Sequence, residues 1–458
     1  MAEPAAMHNS GEVFDRPKCH EDTRVAVLKR FTDWILGNLF GAACIMWLYG
    51  GAGAGKSTIA QTLAQWSAER SMLLGSFFFS RSDPRRSHHT SLVPTFIYQA
   101  VVACPALKSH VFASIERDPL IFNKSIRFQF DTLLIRPLNA IYSLQPAATV
   151  PHVIIIDGLD ECTDSEQQHH VLDVLSDAVQ KCKAPLKVLV VSRPEVEIKG
   201  AFNCDPLQTL SGRVALDNSQ ETNTDIRRFL VYELKKLKKK HQLQGHLPDF
   251  WPDENLMDEL VKRASGQFMY ASTVVKYITS LRHHPVERLE IILGLRINPS
   301  ERDLPFAQLD ALFWHIFSSI PPHDRELVMT IIGALVVDVA SHYLLRSIQG
   351  LAEFFALPVA SVELLLGNLT SIVKIHAPDF HKGGVRASYI EVLHASLSDF
   401  LLDKQRSKEF YLDSNKVSAD LLRICMKNLN MGGKHRRFSL DFAARLDRSP
   451  PVLDRSCK

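Results

Sequence analysis

An α/β fold, a parallel sheet with helices on both faces, is predicted by three features of the sequence. Short, predominantly apolar runs recur at Ile45 to Tyr49, Leu73 to Phe79, His152 to Asp157 and Lys187 to Ser192. Helical stretches alternate with them, at Leu92 to Ala103, Phe128 to Leu144 and Gln167 to Gln180. A glycine-rich turn, "GGAGAGKST", joins the first run to the helical stretch "STIAQTLAQWSAER". Runs too apolar to face water on either side are what a sheet covered by helices requires.

Ahead of the first strand, Val25, Leu28, Phe31, Ile35 and Leu36 stand at helical spacing, so residues 1–43 supply an amphipathic lead-in helix. The α/β core then occupies residues 44–215. From about Asn223 the strand signal ends, and "NTDIRRFLVYELKKLKKK", "PDENLMDELVKRASG" and "QFMYASTVVKYITSL" predict a helical domain over residues 216–300. Within residues 301–405, the segment from Leu344 to Asp403 reads helix, turn at Leu357 and Pro358, helix, then two strands joined through "HKGG". That order is winged-helix-like. Residues 406–458 continue as a helical and polar tail.

Bulk properties bound the function. The 458 residues are 46% hydrophobic and 22% charged, enough for a substantial core. The 53 basic and 50 acidic side chains leave a net charge of +3, and nothing global calls for a nucleic-acid or membrane partner. The eight cysteines show neither a CxxC pair nor zinc-finger spacing and read as reduced thiols. The start, "MAEPAAMHNSGEVFDRPK", lacks the apolar stretch of a secretory signal. The longest apolar run, Leu327 to Val337, falls short of the roughly 20 residues that cross a bilayer. A cytoplasmic protein is the expectation.

Gly50, Gly55, Lys56 and Ser57 satisfy GxxxxGK[ST]. In such a loop, here Gly50, Gly51, Ala52, Gly53, Ala54, Gly55, Lys56, Ser57 and Thr58, glycines let successive N–H groups point at phosphate oxygens. Lys56 reaches the β- and γ-phosphates, and Ser57 holds Mg²⁺ at the helix N-terminus. The fold class is therefore an α/β P-loop NTPase followed by a helical domain and a winged-helix domain.

In "VIIIDGLDEC", Asp157 ends a buried strand, where a carboxylate is costly unless it meets a cation; Mg²⁺ carried by a nucleotide is the natural one. Asp160 or Glu161 is then the candidate general base for an attacking water. The plainer reading is a solvated acidic turn. In "VLVVSRPE", Arg193 follows another buried strand and is either a γ-phosphate contact or a surface arginine before a proline.

Taken together, "WLYGGAGAGKSTIAQ", "GSFFFSR", "QFDTLLIRPL", "VIIIDGLDEC", "VLVVSRPE", "GQFMYASTVVKYI" and "LHASLSDFLLD" resemble the NACHT subclass of STAND P-loop NTPases. That group includes the NOD-like receptors, and the likeness is greatest to the fungal members called nephrocystin 3-like. It extends from Arg16 over about 400 residues. The resemblance implies an ATP/ADP switch in which ADP holds a closed form and ATP permits self-association. It also implies that His394, in "LHASLSDFL", touches the β-phosphate. On the residues alone, His394 is a packed or capping side chain. The fungal proteins usually carry an effector region before this core and repeats after it; neither is expected in this sequence.

The function expected is signal transduction by a slow, nucleotide-dependent conformational and oligomerisation switch. The alternatives are a non-hydrolysing, ADP-locked scaffold and a small-molecule P-loop kinase. Nucleic acid is not an expected partner, since the second helix of the winged-helix segment, near Pro358 to Asn368, has Glu363 and no Lys or Arg. "KKLKKK" keeps an apolar stripe through Leu234 and Leu237 and reads as a solvated helix face. "SRSDPRRSHH" reads as an exposed turn or a loop approaching phosphate or a neighbouring protomer. Cys162 reads as packing.

Overall fold

The computed structural model describes residues 2–11, 17–39, 43–81, 83–144, 152–216, 220–240, 247–248, 251–279, 284–294, 306–337, 345–369, 371–376, 388–392 and 395–430. The chain divides into two compact units, Met1–Phe229 and Leu230–Lys458.

The first unit contains α1 (Val25–Ile35), β1 (Ile45–Gly50), α2 (Lys56–Glu69), β2 (Leu73–Phe78), α3 (Leu92–Ala103), α4 (Leu107–Arg117), α5 (Ile126–Phe130) and α6 (Arg136–Leu144). It continues through β3 (Val153–Asp157), α7 (Ser165–Lys181), β4 (Lys187–Ser192), α8 (Val196–Phe202), α9 (Leu207–Leu210) and β5 (Ser211–Leu216). The sheet is wholly parallel, in the order β2-β3-β4-β1-β5.

Alternation along each strand explains why the sequence reads as unbroken apolar runs. Ile45 and Trp47 of β1, Ile154 and Ile156 of β3, and Val188 and Val190 of β4 enter one core. Met46 and Leu48, Val153 and Ile155, and Leu189 and Val191 enter a second. Successive side chains of a pleated strand point to opposite faces, so two helix layers need apolar residues at every position.

Four local features differ from the sequence expectations. In α1 the buried face is Phe31, Trp34 and Ile35, while Val25 and Leu36 are exposed. Trp34 turns inward because its indole N–H donates to the Ala43 carbonyl at 2.8 Å. The helix expected from Phe128 begins earlier, where the Ser125 hydroxyl caps α5, and the five residues Asp131–Ile135 form a π-helical turn before α6. β5 and α4 are additional elements. The segment before α1 is also anchored: Ala5 and Ala6 are buried, the Glu3 N–H donates to Thr95 Oγ1 and the His8 N–H to Ser76 Oγ.

The helix α10 (Gln220–Lys240) follows the sheet and continues past the unit boundary. The second unit adds α11 (Glu254–Ala264), α12 (Phe268–Ile278), α13 (Pro285–Gly294), α14 (Ala307–Ser318), α15 (Pro322–Val336), α16 (Ile348–Phe355) and α17 (Val359–Leu366). Strands β6 (Val373–His376) and β7 (Tyr389–Val392) pair antiparallel, and α18 (Ala395–Leu402), α19 (Lys404–Ser407) and α20 (Ser414–Asn430) close it. Ser347 caps α16, Ala356 ends it in the left-handed conformation, and Pro358 starts α17 at 110° to it. Proline cannot continue the first helix, so the turn falls where the sequence put it. Phe313, Phe317, Phe354, Phe400 and Phe410 are fully buried in this unit. Among the described residues, no single helix is long and apolar enough to cross a membrane.

Candidate nucleotide site

In a parallel sheet all strands end on one edge, where crevices form between the loops that follow them. The register pairs Tyr49 of β1 with Ser192 of β4, and Val191 of β4 with Asp157 of β3. β4 therefore lies between the strand that feeds the glycine loop and the strand that feeds the acidic turn. The Trp47 indole donates to Ser192 Oγ at 2.9 Å, joining the ends of β1 and β4 through a buried hydrogen bond.

The glycine loop is shaped by its sequence. A Cβ on Gly50 would stand 2.8 Å from the Leu216 carbonyl oxygen, so only glycine lets β1 and β5 approach at that point. Gly53 and Gly55 take φ of +74° and +88°, where other residues are strained. α2 starts at Lys56 with no side chain capping its first turn. Its N-terminal N–H groups and the positive end of its dipole are thus presented to an anion. The Lys56 ammonium donates to the Gly50 and Gly51 carbonyls at 2.9 and 2.8 Å. Burial holds its pKa below the ordinary lysine value. The Asp160, Asp157 and Glu161 charges oppose that shift, while Arg193 adds to it. Ser57 is exposed beside it.

The acidic turn forms as Gly158 enters the left-handed region at φ +71° and residues Leu159–Glu161 make a 3₁₀ turn. Asp157 is buried at the end of β3. Asp160, also buried, accepts the Arg193 backbone N–H at Oδ1 (2.9 Å) and pairs with the Arg193 Nε at Oδ2 (3.3 Å). Glu161 accepts the Arg81 N–H at 3.1 Å. Burial first, then the charges of Asp160 and Asp157, push the Glu161 carboxyl up to about 7.

Lys56, Asp157, Asp160, Glu161 and Arg193 thus lie on one sheet edge, where the adjacent parallel strands β1, β4 and β3 end. His394 lies outside the described residues. Two arginines that the sequence reading did not single out also reach the site. Arg81, after β2, donates from its guanidinium to the Asp160 carbonyl at 2.8 Å. Arg24 donates to the Ala54 carbonyl at 2.9 Å. The signal for Arg81 was available, because "FFFSR" and "VVSR" both end a buried strand in Ser-Arg.

A bound nucleotide and Mg²⁺ fit this donor set. The loop supplies uncapped N–H groups and an ammonium for phosphate. Asp157 and Ser57 carry oxygen atoms of the kind Mg²⁺ takes as ligands and are the residues that would hold it. The core has an α/β P-loop fold. A family model described as Nephrocystin 3, N-terminal, matches residues 25–193, from α1 through Arg193. No curated protein matches the chain. Among solved structures, the Aeropyrum pernix ORC2 protein, in ADPNP–ADP complexes, is 13% identical, with a TM-score of 0.36 over 90% of this chain and 97% of that one. Cdc6p from Pyrobaculum aerophilum is 12% identical, at 0.33 over 90% and 97%. AMPPCP-bound DnaA from Aquifex aeolicus is 11% identical, at 0.28 over 89% and 95%.

Proposed function

We propose that this protein is a cytoplasmic ATP/ADP-binding switch of the NACHT type, a slow NTPase whose product is a conformational change and, in the ATP state, self-association. The observation that supports it most is the division of labour between the two acidic residues. Asp160 is committed to Arg193 through two contacts, whereas Glu161 carries a carboxyl whose proton affinity is raised toward neutrality.

In this reading the glycine loop and Lys56 bind the phosphates, with the lysine exchanging its Gly50 and Gly51 carbonyls for phosphate oxygens. Ser57 and Asp157 would hold Mg²⁺, whose charge would offset that of the phosphates. Glu161, in its ionised form, orients the attacking water and takes its proton. Arg193 meets the terminal phosphate while Asp160 fixes its backbone and guanidinium. His394 is assigned to the β-phosphate on the family resemblance. The two helices meeting at 110° and the antiparallel pair after them support a winged-helix subdomain in the second unit.

Isothermal titration of the full chain with Mg²⁺-ADP and Mg²⁺-ATP tests the grip: binding by wild type and loss in Lys56→Ala are expected. Binding untouched by Lys56→Ala overturns it. Phosphate release slower in Glu161→Ala than in wild type is expected of the NTPase, whereas no difference would favour a non-hydrolysing scaffold. Size measurement with ADP and with a non-hydrolysable ATP analogue tests self-association.

A further inference from the structure

Arg24 is buried ahead of α1 and holds φ at +57°, a conformation that is strained for a non-glycine residue and persists only where its surroundings impose it. Its surroundings are two functionally distinct elements. One guanidinium nitrogen, Nη2, donates to the Ala54 carbonyl in the phosphate loop at 2.9 Å. The other, Nη1, donates to Thr222 Oγ1 of α10 at 2.8 Å. The Arg24 backbone N–H donates to Asp225 Oδ2, also on α10, at 2.9 Å. Arg228, one further turn along, donates to Asp225 Oδ1 and to the Asp22 carbonyl, each at 3.2 Å. Thr222, Asp225 and Arg228 recur every third residue and so share one face of the helix.

Ala54 stands between two glycines at positive φ, with its side chain buried and its N–H donating to the Gly51 carbonyl at 3.4 Å. The Ala54 carbonyl and the Gly55 N–H belong to one planar trans peptide and point in opposite directions. A guanidinium that fixes the carbonyl therefore fixes where that N–H points, at the very turn that presents donors to phosphate. Any reorientation of this peptide on phosphate binding must be followed by Arg24, and through it by Thr222.

We infer that Arg24 is a positioning residue that makes the phosphate loop and the first turns of α10 share one state, so that nucleotide binding is reported along α10. The inference rests on the nucleotide-binding reading above. α10 runs to Lys240, beyond the boundary of the first unit, and is thereby a physical carrier of the signal out of the core. By linkage the coupling is reciprocal: whatever orders α10 strengthens the grip on nucleotide by the same factor.

The test is hydrogen exchange of the full chain with and without Mg²⁺-ADP, alongside isothermal titration. ADP is expected to slow exchange at residues 222–229 by about tenfold in wild type. Thr222→Val removes the acceptor that the Arg24 guanidinium has on α10 and leaves its bond to the Ala54 carbonyl in place. It is expected to keep ADP affinity within about threefold while protection of those amides falls below about twofold. Arg24→Lys, which cannot span both acceptors, is expected to lose the protection as well, and unchanged exchange in β3 and β4 shows that either variant is folded. Protection of α10 by ADP that is equally large in both variants, or ADP binding to wild type with no protection of α10, overturns the inference. Absence of ADP binding to wild type is seen separately in the titration and removes the underlying reading as well.

Discussion

Replacing Glu161 with Gln removes a single titration whose effect on stability can be worked from its surroundings. The carboxyl is raised from an ordinary 4.5 to about 7 in the folded protein, by burial and by the neighbouring Asp160 and Asp157 charges. A folded-state pKa above the unfolded value means that the native state binds the proton more tightly. The associated stability is complete below the unfolded value and is lost as pH rises through the folded value. With these two values, raising the pH from 6 to 8.5 costs the wild type roughly 1–2 kcal/mol that Glu161→Gln does not lose. For a unit of this size that corresponds to a melting temperature lower by about 3 to 6 °C. The assay is thermal unfolding of both proteins in EDTA, without nucleotide, from pH 6 to 8.5. The difference between the two profiles isolates residue 161 from the other titrating groups. Parallel profiles, or a wild type that gains on the variant as pH rises, would refute the reasoning.

Asp160→Asn is expected to destabilise the protein by about 1–3 kcal/mol, because the Arg193 guanidinium loses its charged partner; urea unfolding reads the loss. Ser192→Ala leaves the buried Trp47 indole N–H without its acceptor and is expected to cost a similar amount, about 1–3 kcal/mol, in the same assay. Gly50→Ala places a methyl group 2.8 Å from the Leu216 carbonyl oxygen. It is expected to lower stability by about 1–3 kcal/mol and to weaken nucleotide binding, and a variant that melts with the wild type would contradict the close packing of β1 on β5.

The elements read most clearly from sequence are those whose environment is uniform. β1, β3 and β4 have both faces buried, so hydrophobicity alone marks them to within a residue or two. β5 escaped because it is an edge strand, "SGRVAL", with polar and partly exposed positions and only Val214 and Leu216 buried. The π-helical turn at Asp131–Ile135 is equally silent, since an extra residue in one turn leaves the apolar spacing on either side nearly intact. In α1, spacing identified the helix and its inward Leu28, Phe31 and Ile35 but also counted the exposed Val25 and Leu36. Trp34 was not counted among the inward positions, although its N–H finds a carbonyl there. For the site, the loop and the carboxylates were legible because both follow buried strands. Arg24 was not, because its meaning lies in hydrogen bonds to residues 30 and 198 positions away.

The roles of Asp160 and Glu161 show what strand order adds to a motif. Sequence places the two carboxylates side by side and gives no reason to prefer either as base. In the sheet, β4 runs between β1 and β3, so the residue leaving β4 is delivered to the acidic turn. That residue is Arg193, and its N–H and guanidinium both settle on Asp160. Both carboxylate oxygens of Asp160 are thus taken up by Arg193. Glu161 receives one backbone N–H and is otherwise burdened by burial and by like charges, which raise its proton affinity. The same strand insertion that stiffens Asp160 thus leaves Glu161 as the group able to change protonation near neutral pH. On the proposed reading, Asp160→Asn alters Arg193 and the response to the terminal phosphate, while Glu161→Gln abolishes turnover with nucleotide still bound.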